Sequence, residues 1–276
     1  MIHAAVVVAL GGGCARGDGE EAPGPIASAL LGLAAELGAE PDQVIAAWQQ
    51  IGVIAQRVAR RPEKDGVDAL NAVVFSDLHF AREIEDDDLR FVSLPSVITG
   101  RRGSCLGLTA LYLAVAERRR LPLDGVLLPG HIYTRAPGPP PRNVELLRRG
   151  EAMPDGWYLE KYGSPPRDAG GYGRALSAIE LTAVHWFNVG NRLRRLGDLA
   201  RAEAAYARAA AEFPVFAEAH ASLGTVRQLR GDGAGAAAAY DAAARAWPDL
   251  PGLEHNRAVL ARGAVAPPPS IKEGQR

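Results

Sequence analysis

Six residue identities recur at one fixed offset in the last third of the chain. Gly190 and Gly224, Gly197 and Gly231, Asp198 and Asp232, Tyr206 and Tyr240, Ala209 and Ala243, and Pro214 and Pro248 are each separated by 34 residues. A constant offset of this length marks stacked helix pairs. The glycines let one helix approach the next, the Gly-Asp pair turns the chain, the tyrosine fills the remaining gap and the proline stops the second helix. The pattern predicts helices over residues 176–196, 199–212, 216–230 and 234–246, with 252–261 as an unpaired capping helix.

The preceding part reads differently. Apolar residues at helical spacing predict helices over 26–37, 41–60 and 66–80, with Pro41 suited to a first turn and Asp42 to the positive end of the helix dipole. Residues 89–98 read as a helical or irregular lead-in to a helix over 104–120 that Pro122 closes. Residues 124–128, 132–135 and 143–147 alternate as strands of a small antiparallel sheet, with the proline-rich stretch 136–141 as a stiff connecting loop. Residues 156–173, with Trp157, Tyr158, Tyr162 and Tyr172 among glycines, read as a loop that packs over the core or forms part of a substrate cleft, with packing as the default.

Three of these elements carry chemistry in a definite order. Cys105 follows Ser104 at the start of an apolar helix, where unpaired N–H groups and the helix dipole favour a negative sulfur. His131 follows Pro129-Gly130 at a strand start, and Asn143 and Glu145, two apart, share one face of the next strand. A cysteine on an apolar helix is also an ordinary core residue, so the weight falls on the order: thiol, imidazole, then a group able to fix the ring's tautomer.

Several words around these residues resemble the transglutaminase-like superfamily, in the bacterial branch whose Cys-His core is followed by tetratricopeptide repeats. They are Leu70-Asn71-Ala72-Val73-Val74-Phe75, Arg101-x-Gly103-x-Cys105-x-Gly107-Leu108, Leu121-Pro122-Leu123 leading to Pro129-Gly130-His131, and Asn143-Val144-Glu145 with Arg149-Gly150-Glu151. The resemblance implies an α+β, papain-like core, here followed by an all-α repeat module. It further implies Cys105 as nucleophile, His131 as base and an acid on the following strand as orienter. The family's third residue is an Asp before Pro. This chain has Val144-Glu145-Leu146 there, so Glu145 is the first choice and Asn143 the fallback.

The expected organisation is a lipoprotein-type signal and tether (1–25), the core (26–174), the repeats with their cap (175–262) and a disordered tail (263–276). The leader's apolar run ends in Gly11-Gly12-Gly13 before Cys14, which reads as a lipidation site; processing there would put the protein in the cell envelope, and an unprocessed leader in the cytoplasm. A net charge of −1 gives no footprint for nucleic acid, and two cysteines in unrelated settings make neither a disulfide scaffold nor a zinc site. No cofactor is implied. The expected activity is thiol-dependent acyl transfer or hydrolysis on an amide or ester, with a protein or peptide held by the repeats. The competing expectation is a non-catalytic repeat scaffold with a degenerate core.

Overall fold

A computed structural model describes residues 22–83, 88–165 and 170–263. The Cys14 leader and, apart from Gly263, the C-terminal tail lie outside the described residues. Helix α1 (Pro25–Glu36) and helix α2 (Pro41–Ala59) open the fold, and α2 starts with Pro41 in its first turn and a reciprocal capping box between Glu40 and Gln43.

The single helix expected over 66–80 is two structures. Helix α3 (Gly66–Asn71) continues as a π-helical turn over Ala72–Asp77, closed by Leu78 N–H donating to the Val73 carbonyl at 3.0 Å. The wider turn buries the three consecutive apolar residues Val73, Val74 and Phe75 together. The lead-in resolves into a 3₁₀ turn (Leu89–Phe91) and helix α4 (Leu94–Gly100), beside a parallel ribbon of β1 (Ala81–Arg82) and β2 (Arg102–Gly103).

Helix α5 (Cys105–Arg119) is the centre of this part: every residue from Leu106 to Ala116 is buried, as a helix apolar on all sides requires. It packs along a four-stranded antiparallel meander of β3 (Asp124–Leu128), β4 (His131–Ala136), β5 (Arg142–Glu145) and β6 (Glu151–Ala152). Two expectations are corrected here. Residues 146–147 leave the strand for a 3₁₀ turn, Leu146–Arg148, because a Glu145 carboxylate oxygen accepts the Leu147 N–H at 2.9 Å. The aromatic segment begins as helix α6 (Asp155–Tyr162) instead of a loop, with Asp155 in its first turn.

The C-terminal part is all helix: α7 (Ala178–Arg195), α8 (Leu199–Glu212), α9 (Ala217–Leu229), α10 (Gly233–Ala246) and α11 (Leu253–Ala261). Helix α7 pairs with α8 and α9 with α10, α8 meets α9, and α11 lies against α9 and α10. The 34-residue offset has a physical content at each position. Gly197 and Gly231 adopt positive φ in the turns, and Asp198 and Asp232 accept the Arg201 and Gly235 N–H groups that begin α8 and α10. Tyr206 and Tyr240 are wholly buried, their hydroxyls donating to Asn191 and Gln228.

The two parts share one core. A continuous apolar cluster runs from Ala27 to Leu253, and α1 joins its ends by packing on both α5 and α7. The Glu117 carboxylate at the end of α5 accepts the Ile26 and Ala27 N–H groups, both at 2.9 Å, which satisfies the start of α1. At the other end of α1, Glu36 pairs with Arg208 of α8.

A Cβ at Gly190 or Gly224 would come within 2.6 Å of the Tyr206 ring or 2.5 Å of the Tyr240 ring. Gly224→Leu is therefore expected to destabilise by about 1–3 kcal/mol through overpacking, read as a lower urea midpoint. An unchanged midpoint would mean that α9 and α10 do not pack through this contact.

Candidate active site

The start of α5 is fixed by its contact with the 3₁₀ turn before it. The Phe91 carbonyl accepts the Ser104 N–H at 2.9 Å, and the Ser104 hydroxyl accepts the Gly107 N–H at 3.3 Å. Gly107 allows this approach, since a Cβ there would stand 2.1 Å from the Phe91 oxygen. Cys105 is thus the first residue of a rigid helix. Its side chain is only partly buried, and it lines one cleft with His131, whose pKa it raises.

His131 opens β4, and strand alternation puts it on one face with Tyr133 and Arg135. On β5 the matching face carries Asn143 and Glu145. The register sets Asn143 directly opposite Arg135, so Glu145 lies two residues closer to His131. At about 3.3 Å of rise per residue that difference is decisive. The His131 Nε2–H donates to Glu145 Oε2 at 2.8 Å, which leaves Nδ1 as the nitrogen open to the Cys105 sulfur. Asn143 stays away from the imidazole. Its carbonyl oxygen accepts from Arg135 Nε at 2.7 Å, and its amide donates to the Met153 carbonyl and, at 2.7 Å, to Asp155. It ties β5 to the first turn of α6 instead.

Both members of the pair are out of water, with side-chain exposures of 2% for His131 and 1% for Glu145. Glu145 uses both oxygens, Oε2 for His131 and Oε1 for the Leu147 N–H. Burial pulls the His131 pKa down, but the hydrogen bonds and charge of Cys105 and Glu145 outweigh it and carry the imidazole from 6.5 up to about 9. The lining Tyr133 hydroxyl moves up to about 12, chiefly by burial, and burial also raises Tyr158 and Tyr162. These phenols stay neutral beside the pair.

Helix α6 lies over the imidazole, in the place over the core expected of the aromatic segment but as a helix, a form that sequence reasoning missed. Tyr162 stacks on His131 with ring centroids 4.1 Å apart and planes 4° from parallel, and Tyr158 stacks on Tyr133 at 4.1 Å. The available signal was the Tyr158/Tyr162 spacing of four, one helical turn. The turn after Glu145 is held by two words that stood far apart in the sequence: Asn71 donates to the Gly150 carbonyl at 3.0 Å and accepts the Tyr112 hydroxyl at 2.9 Å, while Arg149 donates to the Phe75 carbonyl at 2.7 Å.

Cys105 and His131 open onto a cleft of ≈ 200 Å³. One wall is the core, with Leu128 and Ile132; the other belongs to the helical part, with Val184, Phe187, Asn188 and Asn191 of α7, Phe216 before α9 and Glu218 on it. Among the described residues no cluster of His, Cys, Asp or Glu could hold a metal ion, and no helix is long and apolar enough to cross a membrane.

A family model described as the transglutaminase-like superfamily matches residues 42–155, a span that includes Cys105, His131, Asn143 and Glu145 and stops before α7. Among solved structures, the chain is similar to menin, in a structure described as revealing the binding site for Mixed Lineage Leukemia (MLL) protein. The TM-score is 0.43 and the identity 12%, over 87% of this chain and 75% of that one. No curated protein matches.

The His131 shift has a defined sign. Its folded pKa of about 9 exceeds the unfolded 6.5, so the stability it contributes is complete below pH 6.5 and is lost as pH rises through about 9. Thermal melts between pH 6 and 10 are expected to show a loss of at most about 3 kcal/mol across that window that His131→Gln lacks. Parallel pH profiles for the two proteins would contradict the charged pairing.

Proposed function

We propose that this protein is a thiol-dependent acyl-transfer or hydrolytic enzyme of transglutaminase-like type, with Cys105 as nucleophile, His131 as base and acid, and Glu145 as orienter. The observation that carries the reading is the fully buried Glu145 carboxylate on His131 Nε2, with Cys105 and His131 lining one cleft. A structural ion pair alone would not require a partly open thiol at its end.

In this reading His131 holds the thiol proton, and the Cys105 sulfur attacks an amide or ester carbonyl. The developing oxyanion is received by N–H groups at the α5 start, among them that of Cys105, which precede the first intrahelical hydrogen bonds. His131 then returns the proton to the departing amine or alcohol as the bond from carbonyl carbon to leaving group breaks, giving a thioester. Water or an amine, deprotonated by the same imidazole, attacks the thioester and releases Cys105. Tyr162 and Tyr158 keep solvent from the imidazole face.

The helical part in this proposal is a short tetratricopeptide-type module of two helix pairs and a cap. It takes a protein or peptide partner and supplies the second wall of the cleft. Lipid attachment at Cys14, which would hold the protein at a membrane of the cell envelope, is part of the same proposal.

Iodoacetamide labelling mapped by mass spectrometry tests the chemistry. Cys105 in a Cys14→Ser background is expected to react at mildly acidic pH at least tenfold faster than a free thiol, and His131→Gln is expected to remove most of that excess. Slow labelling, indifferent to His131, would refute the catalytic reading and leave the non-catalytic scaffold.

A further inference from the structure

The second wall of the cleft contains a group that the acyl-transfer chemistry does not use. Glu218, in the first turn of α9, lines the cleft, and its Oε2 is fully covered yet has no hydrogen-bond partner. The residue as a whole is half-buried. No salt bridge to Glu218 exists among the described residues, and the residues lining the cleft include no Lys or Arg. The one cation among the described residues lining the cleft, His131, is already committed to Glu145. The carboxylate has its own backbone N–H as a donor, but a covered carboxylate oxygen left without a partner is costly, and such atoms are rare unless a donor arrives from outside the chain. Burial raises the Glu218 pKa to about 7, against the lowering effect of its own backbone N–H.

The neighbours of Glu218 on this wall also have capacity to spare. Asn188 and Asn191 are three apart on α7 and so share a face. The Asn188 amide donates to the Val184 carbonyl at 3.0 Å, and Asn191 Oδ1 accepts the Tyr206 hydroxyl at 2.8 Å. The opposite end of each carboxamide remains for the cleft: an acceptor on Asn188 and a donor pair on Asn191. Phe187, Val184 and Phe216 between them are apolar. Such a wall suits an aliphatic stem with a hydrogen-bonding chain at one end and a positive N–H group at the other.

We propose that Glu218 is the specificity residue of the Cys105 cleft, and that the substrate carries a primary ammonium or guanidinium on an aliphatic stem, as a lysine- or arginine-like side chain does. The helical part is then a substrate-reading surface as well as a partner module. This inference rests on the nucleophile reading of Cys105, and the test separates the two.

Three bromoacetamides with equal reactive ends and N-linked pentyl tails, ending in an ammonium, a hydroxyl or a carboxylate, are to be compared on the full chain carrying Cys14→Ser. The readout is the second-order rate of Cys105 labelling. The ammonium probe is expected to react at least tenfold faster than the hydroxyl probe, and the carboxylate probe slowest. In Glu218→Gln the ammonium-to-hydroxyl ratio is expected to fall toward one. Because it is a ratio within each protein, general effects on reactivity cancel. Equal rates for all three probes in the unaltered chain, or a ratio unchanged by Glu218→Gln, would overturn the proposal while leaving Cys105 a nucleophile. Should Cys105 label slowly with every probe, NMR titration of the Cys105→Ser chain with pentylamine against pentanol decides the matter alone. Amine-selective shifts at Glu218 that Glu218→Gln abolishes would support the site, and equal or absent binding would overturn it.

Discussion

A carboxylate and an imidazole at 2.8 Å, both shielded from water, form an arrangement that the surrounding chain must keep intact. If one partner is lost the other becomes an uncompensated buried group, which costs far more than the pair contributes. The local architecture follows from that demand. The β4/β5 register sets the spacing, the 3₁₀ turn after Glu145 delivers a backbone donor to its second oxygen, and Asn71 and Arg149 pin that turn to the end of α3. Tyr162 then seals the imidazole by stacking, which excludes water without adding a competing charge.

The helical part belongs to this arrangement. Its residues form half of the cleft, and its apolar interior is continuous with that of the core. A family match that ends at residue 155 therefore covers the wall with Cys105 and His131 and leaves out the wall that faces it. Cys105 sits where the two meet.

How much of this was legible in the sequence depended on whether a constraint was local. The helix pairs were readable because a glycine lying on a tyrosine ring admits no other residue, so each contact leaves the same letters at the same offset. Cys105, His131 and the two candidates on β5 were readable as positions on elements. The choice between Glu145 and Asn143 belonged to strand register, set by Arg135 facing Asn143, and register is a property of pairing that no single strand carries. Helix α6 was obscured because its aromatics are flanked by glycines and prolines, which read as loop punctuation. Glu218 had no local mark at all: what makes it unusual is that it faces a wall formed by residues between Cys105 and Ile132, far back along the chain.

Helix α1 carries a consequence for how the chain acquires its shape. Its first N–H groups are satisfied by Glu117, 91 residues away for Ile26, and its last carboxylate by Arg208, 172 residues away. A helix of 12 residues is marginal on its own in water. During synthesis it would therefore wait, unsatisfied, until most of the chain has emerged. Closure between distant segments governs how this helix settles, so the first of the described helices along the chain is among the last to be held.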